Sequence, residues 1–254
     1  MTENTLVDLV RLSRELGRPE NDYAILAEGN TSVRLDADTF SVKASGYSMR
    51  DIGDAGFVTM RFKPVLELLD GPDLPETELK VALDAAKTNP SVKARPSIEV
   101  ALHAILLSLG KAQVVGHTHP SAWNSILCSV NVEKAVKGRL FPDHVVVCGP
   151  FPLYIKYTDP GLPLAREMRR RLSEFIETYG EAPKEILMEN HGLIVLGSSC
   201  AEVERITAMS VKAARILLGT FAAGGPKYLS EADVLHLWRR PDEIARRALL
   251  AGAK

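Results

Sequence analysis

Apolar positions along this chain recur with two alternating periods. Leu6, Leu9, Val10, Leu12 and Leu16 fall at helical spacing among charged residues, which predicts an amphipathic helix over about 5–17, closed by Gly17. Short strands are expected at 31–35 and 39–44, and Phe57 to Leu69 reads as a strand followed by a helix. Residues 70–95 hold Pro72, Pro75 and Pro90 around a possible helix at 76–87, an insertion-like stretch. Pro96-Ser97 then supplies an N-cap. Ile98, Ala101, Leu102, Ile105, Leu106 and Leu109 continue as a helix until Gly110. Gln113 to Thr118 reads as a buried strand, and Pro120-Ser121 opens another helix.

Further on, Val145-Val146-Val147-Cys148 reads as a β run, and Pro163 to Tyr179 as an Arg-rich amphipathic helix. Glu185 to Glu189 and Leu193 to Leu196 read as two strands around the turn Asn190-His191-Gly192. Ser199 and Glu202 have capping-box spacing and open a helix to about Leu218. From Gly224 the tail is polar and helical. Such alternation argues for an α/β or α+β sheet protein.

Composition narrows the function classes. The chain has 254 residues, 46% of them hydrophobic, enough for one substantial core. Formal net charge is -1, so charge gives no reason to expect nucleic acid or an anionic membrane surface as a partner. Cys128, Cys148 and Cys200 lie far apart without a CxxC pair and read as free thiols in a reducing cytoplasm. The N-terminus carries too many charges for a signal peptide, and no apolar run reaches the roughly 18 residues of a membrane span.

The sharpest chemical signal is His117-Thr118-His119. Residues two apart in a strand point the same way, so two imidazoles would project together where Pro120 stops the ladder. His191 lies in a second turn, beside Gly192, which permits a positive φ. Each histidine alone is equally an ordinary polar residue. Together, three imidazoles with an open fourth position suit zinc or a similar divalent ion. Glu99 sits at a helix start, at the edge of its buried face. It is either a carboxylate favoured by the helix dipole or a general base and conditional fourth ligand. Gly29-Asn30-Thr31-Ser32 and Ser45-Gly46 are polar turns beside strands. They are either ordinary loops or cradles whose N–H groups hold an anion.

In order, GN-x-S at 29–32, SG at 45–46, PS-x-E at 96–99, HxHP at 117–120 and NHG at 190–192 resemble the class II aldolase/adducin family. That family includes fuculose-phosphate and rhamnulose-phosphate aldolases. The resemblance covers about residues 5–220. It implies a three-layer α/β/α fold around a central mixed, largely antiparallel sheet. It also implies a domain over 1–220 and a helical tail over 221–254, packed on the domain or on a neighbouring subunit. One divalent metal per subunit is implied, zinc first with Mn2+, Co2+ or Fe2+ as alternatives, on His117, His119 and His191. Glu99 takes the acid–base role, and Gly29, Asn30, Ser45, Gly46 and Ser97 bind the substrate phosphate. The implied enzyme is a cytoplasmic homotetramer. It cleaves a ketose 1-phosphate to dihydroxyacetone phosphate and an aldehyde through a metal-stabilised enediolate.

The sequence departs from the family pattern in places. Ile98 stands where aldolases of the family commonly carry a second serine, and Lys43 is a candidate to supply charge instead. The family's catalytic tyrosine has no clear counterpart; Asp143 or His144 are the candidates in that region. A dehydratase or decarboxylase uses the same chemistry and is the main alternative. The family's 4-epimerases carry Asp where Glu99 stands, and adducin-type interaction modules lack the metal histidines.

Overall fold

The period-two segments pair into one sheet of seven strands: β1 (Asn30–Arg34), β2 (Thr39–Lys43), β3 (Phe57–Arg61), β4 (Val114–Thr118), β5 (Leu153–Ile155), β6 (Glu185–Met188) and β7 (Gly192–Gly197). The computed structural model describes residues 3–250, so positions 1–2 and 251–254 of the two expected segments lie outside the described residues. The strand order is β3-β2-β1-β4-β7-β6-β5, and every pair is antiparallel except β5 with β6. The sheet is therefore mixed and largely antiparallel.

Helices cover both faces: α1 (Glu3–Leu16), α2 (Phe62–Glu67), α3 (Glu76–Ala85), α4 (Val100–Ser108), α5 (Ser121–Leu127), α6 (Val132–Ala135), α7 (Pro142–Cys148), α8 (Leu162–Tyr179), α9 (Cys200–Ala222), α10 (Glu231–Arg239) and α11 (Pro241–Leu250). Alternation along the strands separates two cores. Val115 and Ile194 face α2, α3, α4 and α8, whereas Val114 and Val195 face α1, α5 and α9. From Val100 to Leu107 every residue of α4 is buried. A helix that is apolar all round has to be enclosed, and α4 lies between the sheet and helices α2 and α8.

Some expectations change. Val145–Cys148 is helical, not a β run. A run of four apolar residues does not distinguish a strand from a buried helix. Here Pro142 occupies the first helical turn and Phe141 is the extended N-cap. The turn then buries Val145, Val146 and Cys148. β5 and α6 lie where no element was expected. The stretch 70–95 is integral to the domain: Leu79 and Leu83 of α3 join the core, and Met60 bridges to Lys87 at the sheet edge. Ser97 does not cap α4, whose N-cap position is Glu99; the Ser97 hydroxyl accepts from Glu99 N at 3.2 Å. Ser199 does cap α9, accepting from Glu202 N, while the Glu202 carboxylate accepts from Ser198 N. In the tail, α10 and α11 pack on α7, and Leu229 N donates to Arg139 O at 2.9 Å. Among the described residues no helix is long and apolar enough to cross a membrane.

Candidate metal centre and active site

Strand pairing brings the scattered motifs to one end of the sheet. Asn30 of β1 stands opposite His117 of β4, and Thr118 opposite Leu193 of β7. The end of β4 is thus flanked by two glycines on its neighbours. A Cβ on Gly29 would lie 2.6 Å from His117 O, and one on Gly192 would lie 2.6 Å from Thr118 O and 2.8 Å from the His119 ring. Gly192 is required for this close approach rather than for a positive φ, which the turn takes at Asn190 (φ 52).

His117, His119 and His191 converge. Their rings lie 4.7, 5.0 and 5.2 Å apart, centre to centre, and one nitrogen from each falls within 4.8 Å of the others. His117 Nδ1 lies 3.1 Å from Leu193 O, so its hydrogen donates there and Nε2 keeps a lone pair. His119 Nε2 sits 3.0 Å from that atom. Two lone pairs so placed repel unless a proton or a cation lies between them. Burial, reinforced by the neighbouring imidazoles, holds both rings below the usual histidine pKa and keeps them neutral. Convergent, and with His117 anchored from behind, the three rings fit a divalent cation.

Glu99 completes the group. Oε1 lies 3.1 Å from His191 Nε2, and Oε2 lies 3.8 Å from His117 Nε2 and accepts from Asn30 Nδ2 at 2.9 Å. Burial acts to raise its pKa. The polar edges of the His117 and His191 rings, with the hydrogen bonds from His191 and Asn30, outweigh burial, so the carboxyl is held well below its ordinary range.

The loops expected to hold phosphate lie at the same sheet end. Ala44 bridges Pro96, and Ser45 N donates to Arg95 O, so that N–H is already used. Gly46 has φ 83 with open space around it. Ser97 Oγ accepts from Glu99 N, which leaves its own hydrogen to donate. Lys43 is buried with Nζ on Ala27 O at 3.2 Å, beside the Gly29 turn; burial lowers its pKa to about 8 against the field of Glu99. Ile98 turns away to line a cleft with Leu79 and Leu162.

Of the two candidates for the missing tyrosine, His144 is buried and accepts from Arg139 Nη1 at 2.9 Å. It cannot reach a neighbouring subunit's site. Asp143 is half-buried and pairs with Arg246. His144, Cys148 and Glu185 also cluster closely enough for a metal. Arg139 occupies that space: it donates to His144 and Glu185, while Ser210 holds the second Glu185 oxygen. A guanidinium among the donors makes this a structural network. Sequence reasoning missed it, along with the partners of His103: one turn after Glu99 it is expected as a packing or supporting residue, and its bonds to Ser32 and Asn30 are not. The signals available were the i,i+4 spacing of Glu99 and His103 and the i,i+2 spacing of Asn30 and Ser32.

The family model of the Class II Aldolase and Adducin N-terminal domain matches residues 7–218, and the chain belongs to this family. Class II aldolases are divalent-metal dependent, in keeping with the donor group above. Over 179 residues the chain is 27% identical to the uncharacterized oxidoreductase YuxG of Bacillus subtilis, a match covering 67% of this chain and 23% of that protein. It therefore spans about a quarter of that relative's length. Over 232 residues it is 25% identical to the 3-oxo-tetronate 4-phosphate decarboxylase of Haemophilus influenzae, covering 89% of this chain and 94% of that one. Among solved structures it resembles the N-terminal class II aldolase domain of a conserved Thermoplasma acidophilum protein, with TM-score 0.68, 23% identity and coverage of 86% and 95%. An L-fuculose 1-phosphate aldolase matches with TM-score 0.66, 15% identity and coverage of 94% and 96%. At these identities the structural likeness shows the shared fold.

Proposed function

We propose that the protein is a divalent-metal-dependent lyase, an aldolase that cleaves a ketose 1-phosphate or related sugar to dihydroxyacetone phosphate and an aldehyde. The observation that supports this is the convergence of three imidazoles and one hydrogen-bonded carboxylate at a strand end. His117, His119 and His191 would hold the cation, with Zn2+ the first choice. When bound, it supplies Lewis-acid polarisation of the substrate carbonyl. Glu99 handles the proton at the carbon beside that carbonyl, removing it in condensation and returning it in cleavage. Asn30 keeps one Glu99 oxygen in place while the other faces His191 and the metal-side donors. Gly29, Asn30, Ser45, Gly46 and Ser97 form the cradle for the phosphate, with Lys43 behind them as the cation.

A second reading is a decarboxylase of a related keto acid. The H. influenzae relative favours it, because that match spans nearly the full length of both chains. Loss of carbon dioxide from a 3-oxo acid leaves the same kind of carbanion as loss of an aldehyde, so the residue roles are unchanged. The experiment is a metal-supplemented screen of ketose 1-phosphates for aldehyde release, beside 2-keto and 3-oxo acids for carbon dioxide release. Glu99→Gln should keep metal and substrate binding and lose about 10²–10⁴-fold in turnover. No turnover in either panel, or full activity in the Gln variant, refutes this assignment.

A further inference from the structure

A line of hydrogen bonds leads from the interior to Glu99. Asn30 and Ser32 stand two apart on β1 and share its α4 face. His103 is one turn beyond Glu99 on α4 and fully buried. Its Nδ1 lies 2.6 Å from Ser32 Oγ, and its Nε2 is hydrogen-bonded to Asn30 Oδ1. Asn30 Nδ2 then donates to Glu99 Oε2 at 2.9 Å.

The end of this line dictates every hydrogen in it. A carboxylate only accepts, so Asn30 must turn its NH2 to Glu99 and its carbonyl to His103. That carbonyl only accepts, so His103 Nε2 must carry the hydrogen. Burial pushes the His103 pKa down to about 4, so the ring is neutral at pH 7. Nδ1 then holds a lone pair and accepts from the Ser32 hydroxyl. Reversing any member sets two acceptors or two donors against each other where no water can relieve them.

We infer that His103 is a positioning residue: held by Ser32, it locks the Asn30 amide in the one orientation that pins the Glu99 carboxylate and leaves Oε1 toward the histidine triad. Its bearing on turnover rests on the reading of Glu99 as the proton-handling group. The orientation itself does not depend on any reaction. A buried histidine that merely fills space would be replaceable by any side chain of its size.

The test uses 15N-labelled full-length protein. His103 should show the Nε2–H tautomer. The Asn30 side-chain NH2 should be shifted downfield and protected from solvent exchange. Ser32→Ala and His103→Leu should erase that Asn30 signature, and the milder serine variant guards against misfolding in the leucine one. His103→Gln places an NH2 near the former Nε2 and should restore it. With a substrate in hand, Ser32→Ala and His103→Leu should lower kcat by about 10- to 100-fold, the scale of one hydrogen bond to a charged group. His103→Gln should recover most of that loss, and metal content should stay at the wild-type level in all three. An Nδ1–H tautomer, unchanged Asn30 resonances in both disrupting variants, or equal losses for Gln and Leu would overturn the inference. Failure of the aldolase reading would show separately, as an absence of turnover in the wild-type protein.

Discussion

Replacing Gly192 with alanine adds one methyl group to the tightest contact in the site. The new Cβ would stand 2.6 Å from Thr118 O and 2.8 Å from His119 Cδ2, against an ordinary limit of 3.4 Å. Both contacts must open, by about 0.8 Å at Thr118 O and about 0.6 Å at the His119 ring. Thr118 is fixed by its place in the β4–β7 ladder, opposite Leu193. The backbone at residue 192 therefore has to move off Thr118 O and the His119 ring has to turn aside, with the His117 ring at 3.5 Å next in line. Metal–ligand distances tolerate about 0.2 Å. We expect metal affinity to fall by about 10- to 100-fold, the scale seen when ligand orientation is lost. The overpacking should cost the fold about 1–3 kcal/mol, lowering Tm by roughly 2–12 °C for a domain of this size. Competition against a chromophoric chelator measures the affinity, and circular dichroism the melting. Gly219→Ala is the control, because nothing lies within 4 Å of its Cβ position. Wild-type affinity and stoichiometry in Gly192→Ala would refute the packing argument.

Three further outcomes follow from the same structure. Arg139→Met leaves Glu185 buried without its cation, which should cost about 3–5 kcal/mol and lower Tm by roughly 6–20 °C without changing metal affinity; an unchanged Tm contradicts this. Native Lys43 releases its proton near pH 8, whereas an unfolded lysine holds it to 10.5, so the unfolded chain binds more protons between these values. Stability should accordingly rise with pH across that window, by a few kcal/mol at most, and Lys43→Met should flatten the rise in urea titrations; an identical slope in the variant contradicts it. We also expect a homo-oligomer, a tetramer by family resemblance, and sedimentation at 27.7 kDa with micromolar protein would contradict that.

The layered fold was legible because its helices and strands carry long, clean periods, as in α8 with its Arg-rich face or the apolar run into β4. The donor histidines were legible for a local reason: an i,i+2 pair on a strand projects to one side, and a proline marks where the strand ends. What stayed hidden depends on contacts distant in sequence. The valine run of α7 does not by itself tell that it winds into a helix against α9 and α10. Gly192 offered conformational freedom as its obvious reading, whereas its function is to admit Thr118 O and the His119 ring. His103 gained its meaning only through partners 71 and 73 residues away. Ile98 marked a departure from the family pattern, and only packing shows that it serves the α3–α8 cleft rather than the site.

The central claim is that His117, His119 and His191 act as one donor set. Metal analysis of the purified full-length protein, loaded with zinc and then desalted, tests it most directly when run beside His191→Ala. The expected result is one divalent ion per wild-type chain, near-complete loss in the variant, and matching circular dichroism spectra. Full occupancy in His191→Ala, or no retained ion in the wild type, would contradict it.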